Sequence, residues 1–85
     1  MTDPGQLLNR ITTDPDKLAG KPIIRGRRLA VEHVLGFLAA GQSFEWLLEN
    51  YEWLEREDIL ACLLYAQLMV SGSEIASATP VTSAR

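Results

Sequence analysis

The chain holds one cysteine, Cys62, and one histidine, His33, in 85 residues. A single cysteine excludes a disulfide within the chain. One thiol and one imidazole cannot by themselves complete a structural zinc site. No cofactor is expected. The same scarcity argues against catalysis, because no serine or cysteine is spaced to use His33 as a base. A binding domain is therefore expected, not an enzyme, with no small-molecule substrate. His33, early in a helix, is expected at the surface or its boundary, and Cys62 as a small buried hydrophobe on a core stripe. Gly20-Lys21 lacks the upstream glycine and the following Ser/Thr of a phosphate-binding loop. No stretch reaches the roughly 18 apolar residues of a membrane span. The start, Met1-Thr2-Asp3-Pro4, has no basic segment with an apolar run behind it. A cytoplasmic protein with no membrane partner is the expectation. A domain this small is marginal alone, and with disulfide and metal set aside, a homodimer is the expected supplement.

Charge is present but segregated. Arg10, Lys17, Lys21, Arg25, Arg27 and Arg28 face only Asp14 and Asp16 within residues 10–28, about +4 by residue count. Residues 45–58 carry Glu45, Glu49, Glu52, Glu55, Glu57 and Asp58 against Arg56, about −5. One end is suited to anions and the middle to cations or water.

Residues 1–6 read as a flexible N-terminus and 7–72 as a single, mainly α domain. Leu7–Thr12 reads as a short strand, with β-branched Ile11 and Thr12 at its end. Thr13-Asp14-Pro15-Asp16 reads as a turn. Pro22 and Gly26 keep Gly20–Arg28 extended, so 7–29 is expected as a β arm. Three helices are expected at 30–40, 43–51 and 55–71. Val31, Val34, Leu35 and Leu38 set the first periodicity, Gly41 is placed as its C-terminal cap and Ser43 as the next N-cap. Phe44, Leu47, Leu48 and Tyr51 make the second stripe. In the third helix Ile59, Cys62, Leu63, Ala66 and Val70 make one stripe, and Leu60, Leu64 and Leu68 a second ridge. The first is assigned to the core, the second to another chain. Trp46 points away from the stripe of its helix; it is either an interface anchor or folds over a neighbouring loop with Trp53. Residues 73–85, rich in Ser, Ala and Thr, read as a flexible tail.

Arg10-Ile11-Thr12 with Asp14-Pro15, Gly20-Lys21-Pro22-Ile23-Ile24-Arg25-Gly26 and Arg28-Leu29-Ala30-Val31 resemble a bacterial family catalogued as domain of unknown function 433 (DUF433). Leu38-Ala39-Ala40-Gly41, Ser43, Tyr51, and Leu54 followed by Glu57-Asp58-Ile59 extend the resemblance over about residues 9–70. Arg27, Phe44, Trp46 and Glu55 depart from the family pattern. The resemblance implies a three-helix, homeodomain-like (helix-turn-helix-like) bundle and an antitoxin of the VapB kind. Such a protein is a dimer that neutralises a PIN-like nuclease toxin and binds operator DNA. Alternatives are a homeodomain-like transcriptional regulator without a toxin and a structural dimerisation domain.

Lys21, Arg25, Arg27 and Arg28 are the candidate contacts to nucleic acid or toxin. They contact phosphates, or insert into a carboxylate-rich nuclease pocket, or only guard a strand edge. Trp46, Leu60, Leu64 and Leu68 are the candidate dimer or partner interface. Glu55, Glu57 and Asp58 at the start of the third helix speak against that helix lying in a major groove, where it would meet phosphates.

Overall fold

The structure, a computed structural model, describes residues 3–72. In chain order its elements are α1 (Pro4–Leu8), β1 (Ile11–Thr12), a tight turn at Leu18–Gly20, β2 (Ile23–Ile24), α2 (Val31–Ala39), α3 (Phe44–Asn50) and α4 (Arg56–Gly72). The domain is mostly helical with one small two-stranded sheet. The expected tail at 73–85 lies outside the described residues.

Helix ends follow local chemistry. Asp3 accepts hydrogen bonds from the N–H groups of Gly5 (2.9 Å) and Gln6 (3.3 Å), and Pro4 stands at the first helical position. An Asp cap followed by a preset proline φ is a strong helix start. Residues 4–8 are therefore helical, which corrects the loose end expected over 4–6 and shortens the strand expected from Leu7 to Ile11–Thr12; residues 1 and 2 lie outside the described residues. α2 ends as expected at Gly41, whose φ is +98°. Its N–H donates to the Leu38 carbonyl (2.9 Å) and that of Gln42 to the Phe37 carbonyl (3.0 Å), a Schellman closure. Ser43 Oγ accepts the Trp46 N–H at 3.0 Å and starts α3.

The expected β arm does not project. β1 and β2 pair antiparallel, Ile11 opposite Ile24 and Thr12 opposite Ile23. On its other side Ile23 bridges Ala30, and the Ile24 N–H donates to the Leu29 carbonyl at 3.1 Å. Ile23 and Ile24 are fully buried, so this segment is the middle of the domain. Ile24 packs with Leu29, Val31, Val34, Leu47, Leu54, Ile59 and Cys62, each large side chain contributing about 1.5–3 kcal/mol by leaving water.

α4 departs from its expected stripes. Asp58, Ile59, Ala61 and Cys62 are buried, but Leu63 (40% exposed) and Val70 (60%) are not on the core face. At 100° per residue Leu63 falls beside the buried arc, and every described residue after Ala66 is exposed, Leu68 and Met69 lining an open cleft with Leu8, Ile11 and Pro22.

Gly41→Ala would force a left-handed φ on a Cβ-bearing residue. It should lower stability by about 1 kcal/mol in urea unfolding, with helical circular dichroism unchanged.

Candidate functional site

The two charged segments of the chain meet at the first turn of α4. Asp58 is fully buried. Its Oδ1 accepts from Arg10 (3.0 Å) and from Arg25 Nε (3.0 Å), and its Oδ2 from Arg25 (2.8 Å) and the Glu55 N–H (2.8 Å). The last bond is half of a capping box, in which the third helical side chain reaches back to the residue before the helix. Arg10 also pairs with Glu55 at 2.7 Å, and Arg25 donates to the Trp53 carbonyl at 2.8 Å.

Arg25 itself sits at φ 46°, a conformation that costs a side-chain-bearing residue about 1–2 kcal/mol. With Gly26 (φ +72°) it forms a tight turn closed by the Arg27 N–H on the Ile24 carbonyl (2.8 Å). The turn is braced twice: the Gly26 N–H donates to Thr12 Oγ1 (3.0 Å) and Lys17 Nζ donates to the Gly26 carbonyl (2.7 Å). The Arg25 N–H donates to the Arg10 carbonyl at 2.8 Å, so the backbone that strains Arg25 also aims it at Asp58.

Burial pushes the Asp58 carboxyl up, but hydrogen bonds from Arg25, the Glu55 N–H and Arg10 outweigh that and hold it below the usual carboxylate value. The hydrogen bond to Glu55, then that to Asp58, holds Arg10 above its usual value, and the bond to Asp58 does the same for Arg25.

Among the expected contact residues, Arg25 is thus engaged within the domain, and Lys21 pairs with Glu32 at 3.1 Å on the surface. Arg27 is exposed and lies over the Trp53 ring, 4.7 Å from its centroid. Arg28 is exposed and makes no ion pair or side-chain hydrogen bond among the described residues.

Trp46 is half-buried and packs on Phe37, ring centroids 5.1 Å apart. The neighbour it covers within the domain is Phe37 of α2, not Trp53. Trp53 instead meets Tyr51 edge-on at 6.3 Å. Leu64 is half-buried, while Leu60 (36%) and Leu68 (44%) are exposed.

The pattern reading missed Trp53 as a platform for guanidinium groups and Asp58 as a buried anchor. Asp58 stood out only as an acid near a helix start; its partners lie 48 and 33 residues away, a pairing no local spacing encodes. It also missed two shallow clefts beside the far half of α4. One, of 480 Å³, is lined by Leu8, Ile11, Pro22, Tyr65, Leu68 and Met69. The other, of 290 Å³, includes Val31, Leu35 and Ala66 with the shared Pro22, Tyr65 and Met69.

His33 is exposed and its Nδ1 accepts the Ala30 N–H at 3.1 Å, a helix-start role. Cys62 is fully buried; burial, with a smaller push from Asp58, drives its thiol up to about 12. Among the described residues no group of three or more His, Cys, Asp or Glu could hold a metal ion, and no helix is long and apolar enough to cross a membrane.

Asp58→Asn should cost about 3 kcal/mol at neutral pH, the low end for a severed buried ion pair because both guanidiniums keep contact with solvent. The folded carboxyl titrates below the unfolded value of about 3.9. Its contribution is therefore complete above that value and lost as pH falls through the folded one. The stability gap between wild type and Asp58→Asn in denaturant titrations should narrow from pH 6 to pH 3.

A protonated, buried thiol reacts slowly. Cys62 should resist a disulfide reagent at pH 8 in the folded protein and react at once in denaturant; equal rates would contradict its burial.

The amino-acid sequence finds counterparts among known proteins. A family model described as "Protein of unknown function (DUF433)" matches residues 11–66, from β1 to the middle of α4. The uncharacterized protein y4eO of Sinorhizobium fredii (strain NBRC 101917 / NGR234) is 40% identical over 57 residues, 67% of this chain and 26% of that protein. The chain thus spans about a quarter of that relative's length. No solved structure matches. By the extent of the family match, which takes in the Gly20–Gly26 signature, Arg25 and Asp58, the chain belongs to the DUF433 family.

Proposed function

We propose that this chain is a non-catalytic, antitoxin-like binding module that neutralises a PIN-like nuclease by protein–protein contact. The observation that carries this reading is the pair Arg27 and Arg28. Once Arg10 and Arg25 are drawn onto Asp58, these two guanidiniums remain on the outside of a doubly braced turn, one of them laid over Trp53. A guanidinium on an aromatic face is held in place with most of its donors still outward. Such a group suits bidentate pairing with the carboxylates of a nuclease metal pocket, where it would compete with the metal.

The inward role of His33 Nδ1 and the inert Cys62 thiol support a binding role over catalysis. In this reading α2, α3 and α4 form the homeodomain-like bundle that the family resemblance implies.

A second reading, a regulator that binds operator DNA, is favoured by one specific observation. Arg10 and Arg25 offset Glu55 and Asp58, so the start of α4 is less repelled by phosphates than its sequence alone implies.

The test is co-purification with a PIN-like nuclease encoded beside this chain. The pair should associate at micromolar concentration or tighter, and Arg27→Ala with Arg28→Ala should weaken it at least tenfold without changing thermal stability. No association at micromolar concentration would sink the antitoxin reading. If the isolated chain instead binds the DNA upstream of its own gene, and the double variant flattens the salt dependence of that binding, the regulator reading takes its place.

A further inference from the structure

One edge of the small sheet carries backbone groups that the domain leaves unpaired. Ile11 stands opposite Ile24. The Ile24 N–H donates to the Leu29 carbonyl (3.1 Å) and its carbonyl accepts the Arg27 N–H (2.8 Å), so both point away from β1. One step along the ladder, the Arg25 N–H meets the Arg10 carbonyl (2.8 Å). Ile11 and Ile24 are thus a non-hydrogen-bonded pair, and alternation turns the N–H and carbonyl of Ile11 to the outer edge. Neither meets a hydrogen-bond partner among the described residues, nor does the N–H of Thr13. Ile11 is half-buried, and Thr12 and Thr13 are exposed. Natural edge strands are ordinarily blunted by a charge, a proline or a bulge. Ile11, Thr12 and Thr13 supply neither charge nor proline, and the adjoining cation, Arg10, is drawn onto Glu55 and Asp58.

We propose that this edge takes up an extended segment of another protein, added as a further strand beside β1, with aliphatic side chains at alternate positions. Two observations favour that occupant. An outward N–H and carbonyl on one residue are matched by the backbone of an extended chain, which offers the same pair at every second residue. A residue added opposite Ile11 carries its side chain on the face of the sheet that Ile11 uses, and Ile11 lines the 480 Å³ cleft with Leu8, Pro22, Leu68 and Met69. No residue of that lining bears a charge, so the side chain it takes is Val, Ile or Leu, not Lys or Glu. Backbone bonds give the affinity and the cleft gives the selectivity. The contact involves neither Arg27 nor Arg28 and does not rest on the nuclease reading.

Other occupants meet only half of the site. A free hydrocarbon chain would fill the cleft and leave the Ile11 N–H and carbonyl unmatched. A docked helix has its backbone bonds satisfied internally and leaves them unmatched too. Residues 73–85 of this chain offer Ile75 and Val81 as their large aliphatic side chains, with Pro80 next to the second, and a proline has no N–H to give to an edge.

The test uses the full chain with no nuclease present. Hydrogen exchange should find the amides of Ile11 and Thr13 unprotected, while that of Ile24, bonded to Leu29, exchanges slowly. Random nonapeptides displayed on phage and selected on the full chain should yield binders with Val, Ile or Leu at alternate positions. Synthetic copies of those peptides should protect the Ile11 amide. N-methylation at the amides of one alternating set should weaken binding about tenfold per site, the loss of one hydrogen bond, and methylation at the amides between them should not. Thr13→Pro removes an outward N–H and no bond to β2, and Leu68→Lys puts a charge in the cleft; each should weaken binding by a similar factor with thermal unfolding unchanged. Should either variant fail to fold, the N-methyl series on the unaltered chain decides. Failure of the library to yield a binder, or binders indifferent to which set is methylated, would overturn the proposal. So would an Ile11 amide already protected in the chain alone: protection that survives dilution would assign the edge to residues 73–85, and protection lost on dilution would assign it to a second copy.

Discussion

The carboxylate of Asp58 is the point on which the domain turns. A buried, ionised carboxylate costs several kcal/mol of lost hydration, and that cost is offset only when its lone pairs are filled. Here they are filled by donors from three separate stretches of chain: Arg10 before β1, Arg25 after β2 and the Glu55 N–H before α4. The gain is placement more than net stability. β1 and β2 are two residues each, too short to fix their own register against a helix. The Asp58 cluster pins the sheet, through both of its arginines, to the start of the longest helix. The left-handed φ of Arg25 belongs to the same arrangement, since backbone strain of that size persists only where surrounding contacts over-determine it.

This cluster changes the meaning of the charge map. Read along the chain, a basic stretch and an acidic stretch suggest two partners of opposite sign. In the fold they are in part each other's partner: Arg10 and Arg25 meet Glu55 and Asp58, and Lys21 meets Glu32. What the surface retains is smaller and better defined, Arg27 on Trp53 with Arg28 beside it. The signature Gly-Lys-Pro-Ile-Ile-Arg-Gly is explained by the same geometry. Pro22 gives its carbonyl to the Val31 N–H at 3.0 Å, the isoleucines are core, Arg25 anchors Asp58 and Gly26 completes the turn. Its residues are those of a structural keystone, and any partner contact at this corner falls to the residues that follow it.

Signals carried within a few residues were legible in the sequence. Gly41, Ser43 and the Asp14 turn, in which Asp14 Oδ1 accepts the Asp16 N–H at 2.9 Å, are local hydrogen-bond devices, and each sits where its residue type predicts. The α2 and α3 stripes are likewise local periodicities. Asp3-Pro4 is a helix start of the same local kind. What the sequence could not display is pairing at a distance. Nothing near Arg25 announces Asp58, and nothing near Trp53 announces Arg27. The stripes of α4 failed for a different reason. Periodicity names the face a helix would bury, but only the length of its neighbours decides how far along that face the burial extends.

That limit divides α4 into two working parts. Its first turn is polar and held by ions at the buried Asp58, so it is sensitive to pH. Its last turns are apolar, exposed and free of charge, so any contact they make depends on removing hydrocarbon from water and is indifferent to salt and to the ionisation of Asp58. The two parts are joined by Ile59 and Cys62 in the core. Asp58 ties the start of the helix to the sheet through Arg10 and Arg25, and farther along Tyr65, Leu68 and Met69 line a cleft with Leu8, Ile11 and Pro22. The two parts are therefore separable chemically: altering Leu68 or Met69 leaves every hydrogen bond to Asp58 in place.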